Sequence, residues 1–197
     1  MRHWRIAISF AEEQAEAASF LAVVPPQAFV DEIVRIRAAF GLDTLVPPHV
    51  TVKAQPNLGS PDVWRPAVRQ ALNAIPQFDV ALGPVGWFDD GIVFLSVGVE
   101  MLGLHRLLLE AVESIVPGER FEYEGDAYVP HLTLGAGFVG DSLDQLRDIA
   151  EAAGGATWGS FRVLDVVEFR SCTTRPALRA GRGVPVGECG PVSYDSP

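Results

Sequence analysis

Cysteine is almost absent from this chain. Cys172 and Cys189 are the only two among 197 residues. They are too few for a disulfide framework and lack the close spacing of a zinc site, so free thiols in a reducing compartment are expected. Positive charge is scarce as well. Fifteen Lys and Arg stand against 25 Asp and Glu, giving a formal net charge of −10. That excludes a long nucleic-acid track, because such binding depends on basic side chains neutralising successive phosphates. A small or end-recognised phosphate remains compatible, since local charge can oppose net charge. The early apolar stretch is interrupted by Glu12, Glu13 and Glu16, so neither a secretory leader nor a membrane span is expected. These absences predict a soluble, cytoplasmic protein that does not contact a membrane; a monomer with no cofactor is also expected. Apolar residues, in contrast, make up 48% of the chain, enough for the core of one domain over residues 1–197.

Within this background, one short motif is written twice. Pro48-His49-Val50-Thr51-Val52 and Pro130-His131-Leu132-Thr133-Leu134 share the pattern Pro-His-apolar-Thr-apolar. Their histidines lie 82 positions apart, 49 to 131, and are two of the four in the chain. In an extended strand alternate side chains share a face, so His and Thr point one way and the apolar residues the other. Two such strands facing each other give a symmetric pair of histidines flanked by two threonines. Hydroxyls donate hydrogen bonds to a tetrahedral anion, while imidazoles move protons on either side of it.

The surroundings of the motif repeat too. Arg2–Phe10 alternates weakly as a strand, and Ala11–Ala18 reads as a helical turn or linker. After the apolar run Phe20–Val24, a helix is expected with Phe29, Val30, Ile33, Val34, Ile36 and Phe40 near one face, stopped by Gly41. The first motif strand covers Pro48–Ala54. A helix starting at Ser60-Pro61-Asp62 carries Val63, Ala67, Val68, Ala71, Leu72 and Ile75, and Phe78–Leu82 alternates as a strand. Asp89-Asp90-Gly91 marks a hairpin between Val85–Phe88 and Ile92–Val99. Leu102–Val116 reads as a helix on a Leu104, Leu108, Ala111, Ile115 stripe, ahead of the second motif strand. Asp141-Ser142 caps a helix closed by Gly154-Gly155, Phe161–Cys172 reads as one long strand, and Val184–Gly187 as a short one. Strand, helix, motif strand, helix, strand thus occurs twice. The duplication predicts an α+β fold with two lobes, about 19–88 and 91–172, each contributing one motif to a cleft between two antiparallel-type sheets with outer helices. The terminal strands are expected to complete the sheets.

Paired His-x-Thr-x motifs in a duplicated α+β chain resemble the two-histidine (2H) phosphoesterase superfamily, which includes 2′,5′-RNA-ligase-like proteins and 2′,3′-cyclic nucleotide phosphodiesterases. The resemblance covers roughly 19–186 and rests on Val46–Lys53 and Tyr128–Leu134. It implies a bilobal sheet fold, a cleft lined by His49, Thr51, His131 and Thr133, and metal-independent chemistry. Substrates would be cyclic phosphates or 2′,5′-linkages of nucleotides or RNA ends. The resemblance further implies His131 as base towards water, His49 as acid towards the leaving oxygen, and threonines holding the non-bridging oxygens. Reversed roles would run ligation, so the direction stays open. A non-catalytic sensor of nucleotide or phosphate using the same pocket is the alternative.

Other residues are weighed against plainer roles. Alternation puts Lys53 on the face of His49 and Thr51, where it either binds phosphate or ends the strand in solvent; Gly135 is its counterpart in the second motif. Tyr128 is read as stacking on a base or packing, and Trp87 and Phe88 as lining a base pocket or packing. His105, on a leucine-rich helix, is expected at the surface or partly packed. His3 is expected to stand apart, while Arg170 and Arg175 are possible cleft residues.

Overall fold

The computed structural model describes residues 6–7, 18–42, 47–54, 61–89, 91–117, 123–136, 143–156 and 158–171. Its elements are β1 (Ile6–Ala7), β2 (Ala18–Val23), α1 (Gln27–Ala39), β3 (Val50–Lys53), α2 (Pro61–Ala74), β4 (Phe78–Phe88), β5 (Ile92–Val97), α3 (Glu100–Glu113), a 3-10 turn (Gly125–Ala127), β6 (His131–Gly135), α4 (Leu143–Gly154), β7 (Ser160–Val163) and β8 (Val166–Ser171). Most of the expected linker, the Asp141-Ser142 cap, both cysteines and the Val184–Gly187 strand lie outside the described residues.

This is an α+β chain with one hydrogen-bonded sheet where two were expected. Its order is β1-β8-β2-β3-β6-β5-β4-β7, antiparallel except for the β1–β8 pair. The join is made by β3 and β6, which carry the two motifs and pair through Val50 and Leu132. From β2 onward, strand–helix–strand–helix–strand runs through β4 and again from β5 through β7, with β8 following. The two runs exchange strands. β4 leaves the first run to pair with β5, and β8, which follows the second run, pairs with β2. A buried ion pair, Arg65 Nη2 to Glu168 at 2.9 Å, fastens α2 to β8.

Packing follows the apolar periodicities, with shifts. In α1 the buried side chains are Ile33, Ile36 and Arg37, while Val34 is exposed. In α2, Trp64, Val68 and Leu72 are buried and Val63 is exposed, one residue round from the expected stripe. The inner face of α3 is Met101, Leu104, His105, Leu108 and Val112, and Ile115 is exposed. These i, i+3, i+4, i+7 steps form a broader stripe than leucine spacing alone suggests. The expected strands Phe78–Leu82 and Val85–Phe88 are one strand, β4, with a register shift across Gly83-Pro84. The expected Phe161–Cys172 strand instead divides at Leu164-Asp165, because β7 pairs with β4 and β8 with β2 at distant places in the sheet.

Candidate active site

The site is built on the seam between β3 and β6. Val50 and Leu132 are directly opposite one another, and both are fully buried. Their neighbours along each strand must point to the other face. Extending the register sets His49 across from Thr133 and Thr51 across from His131, all four on that face. The two histidines are then diagonal partners, about 7–8 Å apart by ordinary sheet geometry and somewhat closer at Cβ. Each imidazole is fixed in the same way. His49 Nδ1 lies 2.8 Å from Pro47 O, and His131 Nδ1 lies 2.8 Å from Val129 O. A carbonyl only accepts, so each Nδ1 is the donor, and neither Nε2 takes part in these two bonds.

Just beyond the seam both strands bulge at equivalent positions. Leu21 pairs with Lys53 and Ala22 with Thr51, so Val52 is an extra residue in β3. Val93 pairs with Gly135 and Phe94 with Thr133, so Leu134 is the extra residue in β6. A bulge removes carbonyls from the ladder, and here side chains take them up. On β6, Arg37 of α1 donates to Thr133 O at 2.6 Å and Leu134 O at 3.2 Å. On β3, the Tyr128 hydroxyl donates to Thr51 O at 2.7 Å, and His105 Nδ1 donates to Val52 O at 2.6 Å.

Two phenylalanines from neighbouring strands back each histidine. Phe20 and Phe169 stack at 5.1 Å, with ring centroids 5.0 and 5.1 Å from His49. Phe88 and Phe94 lie 4.3 Å apart, with centroids 5.1 and 5.4 Å from His131. Gly86 makes the second arrangement possible, because a Cβ there would sit 2.8 Å from the Phe94 ring. Burial lowers the proton affinity of His49 below the usual imidazole range, against the Pro47 bond, and the charges of Arg37 and His131 lower it further. The His131 half opens instead into a cavity of about 490 Å³, lined by Thr51, Phe88, Tyr128 and His131 among others.

The family model of the 2′-5′ RNA ligase superfamily matches residues 24–166. The chain belongs to this superfamily. Its fold is similar to that of E. coli LigT in apo form, at 19% identity and a TM-score of 0.50, covering 81% of this chain and 90% of LigT. LigT complexed with 3′-AMP matches at 16% identity and TM-score 0.46, covering 79% and 88%. Kluyveromyces marxianus Usb1 with uridine monophosphate matches at 17% and 0.44, covering 78% and 94%. No curated protein matches.

Several side chains of this superfamily member lie elsewhere than their spacing suggested. Lys53 shares no face with His49 and Thr51. The bulge at Val52 reverses the alternation and sets Lys53 opposite Leu21 of the core. It is 3% exposed, and its Nζ lies 2.6 Å from Glu124 Oε1, also buried. It is neither a solvated strand end nor placed on the motif face. Tyr128 stacks on the His105 ring at 3.9 Å, and burial raises its phenol so that it stays a donor. Phe88 lies edge-on to His131, whereas Trp87 is 62% exposed and lines no part of the cavity. Arg170 is in β8; His3 and Arg175 lie outside the described residues. The roles of Arg37, Glu124 and His105 had no sequence signal. The Phe94 position had a faint one, two residues past a strand-opening Ile92 and level with the second motif.

His105 is buried rather than superficial, at 1% exposure. Its Nε2 accepts from Gly125 N at 2.8 Å while Nδ1 donates to Val52 O, so both contacts need the neutral ring. Burial lowers its proton affinity first; Lys53 and Arg106 also lower it, against the Val52 bond and Glu124. His49 is lowered too. The unfolded chain therefore takes up protons on these two rings before the folded one does. Their stabilisation is complete above about pH 6.5 and is lost as pH falls from there towards the folded values. The urea midpoint should accordingly be lower at pH 5.5 than at pH 7.5. A midpoint that rises on acidification over this range would remove the neutral-ring assignment.

Proposed function

We propose that the chain is a metal-independent phosphoesterase acting on 2′,3′-cyclic phosphates or 2′,5′-linkages of nucleotides or RNA ends, with His49 and His131 as the acid–base pair. The observation that carries this reading is the matched pair of Nδ1 bonds to Pro47 O and Val129 O. It leaves two Nε2 atoms, one per motif, for protons on opposite sides of one phosphorus. Simple anion binding requires no such pair of proton carriers. One imidazole takes the proton of the attacking oxygen as the other gives one to the departing oxygen. Thr51 and Thr133 donate to the non-bridging oxygens as charge grows there. The halves act as two duplicated lobes around this cleft, each lending one His and one Thr, in a monomer located in the cytoplasm.

Turnover of nucleoside 2′,3′-cyclic phosphates and 2′,5′-linked dinucleotides in the presence of EDTA tests the proposal. Activity should persist and give a bell-shaped pH profile. Its acid limb should fall below the ordinary imidazole value of about 6.5, because His49 resists protonation. Loss of activity on chelation with recovery on adding zinc or manganese rejects the mechanism. Tight nucleotide binding without turnover of either substrate class replaces it with a sensor.

A further inference from the structure

Between α3 and β6 the described residues 123–130 form no strand, only the 3-10 turn. This segment nevertheless follows β3 in reverse order. Glu124 Oε1 accepts from Lys53 Nζ at 2.6 Å and from Ala54 N at 3.1 Å. Gly125 N is tied to Val52 O through the His105 ring, which stands between them. The Tyr128 hydroxyl donates to Thr51 O, and Leu132 then pairs directly with Val50. Side chains take the place of ladder bonds where the bulge at Val52 interrupts the ladder. His105 is a rung supplied by a third element, α3. Its Nδ1 donates to Val52 O at 2.6 Å and its Nε2 accepts from Gly125 N at 2.8 Å. A leucine at this place would continue the apolar face of α3 and gain more from burial. An imidazole there is stabilised by its two satisfied nitrogens instead. The turn is shaped to meet it, since Gly125 has φ 68°, a left-handed backbone that glycine adopts without strain.

The far end of the clasped segment reaches the second motif. Tyr128 lies flat on the His105 ring, with centroids 3.9 Å apart and planes 17° from parallel. Val129, next in the chain, supplies the carbonyl that orients His131. Pro130 beyond it is pinned by Val97 N, which donates to Pro130 O at 3.1 Å. The Val129 carbonyl is therefore held between two anchors, Tyr128 and Pro130. Building on the acid–base reading of the two motifs, we propose that His105 is a positioning residue for His131. By fixing Gly125 and Tyr128 against β3, its neutral ring sets where Val129 O stands and so which way the His131 imidazole faces. His49 takes its bearing from Pro47 O, ahead of β3 and apart from this segment. The rung thus acts on one histidine of the pair, from a helix that holds neither motif.

Ring 15N spectra of the full chain at about pH 8, where imidazoles are neutral, test this without any substrate. In the parent protein His49 and His131 should both carry the ring proton on Nδ1. His105→Phe keeps a flat ring under Tyr128 and removes both bonds. In it His131 should shift towards the Nε2-protonated form that a free histidine prefers, while His49 stays as it was. On a 2′,3′-cyclic nucleotide, kcat should fall about ten-fold with KM nearly unchanged, because a turned imidazole is missed in the transition state rather than in binding. One amide can donate to Val52 O and accept from Gly125 N, so His105→Gln should restore both the His131 signal and kcat. If His105→Phe does not fold, His105→Asn replaces it, since its shorter amide meets Val52 O but not Gly125 N. An unchanged His131 ring, equal shifts of both histidines, a His131 shift with kcat unchanged, or no restoration by His105→Gln overturns the positioning role. If His131 alone shifts but the parent protein turns over no cyclic phosphate or 2′,5′-linkage, the positioning stands and the phosphoesterase reading falls.

Discussion

His49→Ala and His131→Ala should each lower kcat on a 2′,3′-cyclic nucleotide by about 10²–10⁴, the usual contribution of one positioned proton carrier. The paired loss matters more than its size. Each imidazole is oriented by a single carbonyl two residues before it, so neither can take over the other's side of the phosphorus. The double variant should fall little further than the worse single variant, as expected for groups that act as a unit. His131 is only half-buried, and its removal should leave the urea midpoint nearly unchanged. Full activity in either single variant would end the acid–base assignment. A loss of activity that follows a loss of folding would point to structural roles instead.

Lys53→Ala should chiefly destabilise the protein. Removing one partner of a buried ion pair leaves the other charge uncompensated, at about 3–5 kcal/mol. Glu124 Oε1 would lose Lys53 Nζ, its partner at 2.6 Å, while the bond from Ala54 N at 3.1 Å remains. A domain of ordinary stability has roughly 5–15 kcal/mol in all, so the denaturation midpoint should drop steeply. Lys53→Met combined with Glu124→Gln should recover a large part of the loss, because no lone charge remains. A phosphate-binding lysine behaves differently, raising KM with stability intact. That outcome for Lys53→Ala would contradict the buried pairing.

The contrast shows where the sequence is readable. Element order and both motif strands follow from periodicity and turn residues, because each is a local property. The bulges at Val52 and Leu134 are not local. Val52 and Leu134 look like ordinary inward residues of alternating strands, and only the register against β2 and β5 reveals the extra residue. For that reason alone, strand alternation places Lys53 on the wrong face. His105 was misread because the hydropathy of α3 does not register a buried imidazole whose two nitrogens are satisfied by backbone from β3 and the 3-10 turn. The Phe20–Phe169 pair comes from strands remote in sequence and depends on the pairing of β8 with β2, whereas Phe88 and Phe94 lie on the two arms of one hairpin. The division at Leu164-Asp165 is hidden in the sequence because Val163, Val167 and Phe169 stay in phase with a two-residue spacing across it.

That exchange bears on how such a chain could arise. The last strand of each half finds its hydrogen-bonding partner in the other half. A chain of half this length, with one His and one Thr, would have had an unpaired strand to lend. Two copies lending to each other across a two-fold axis would pair both lent strands within one sheet and bring two histidines and two threonines to one seam. Joining the copies end to end between β4 and β5 frees assembly from protein concentration. It also releases the halves from identity, so that an arginine can cap one bulge while a histidine and a tyrosine cap the other.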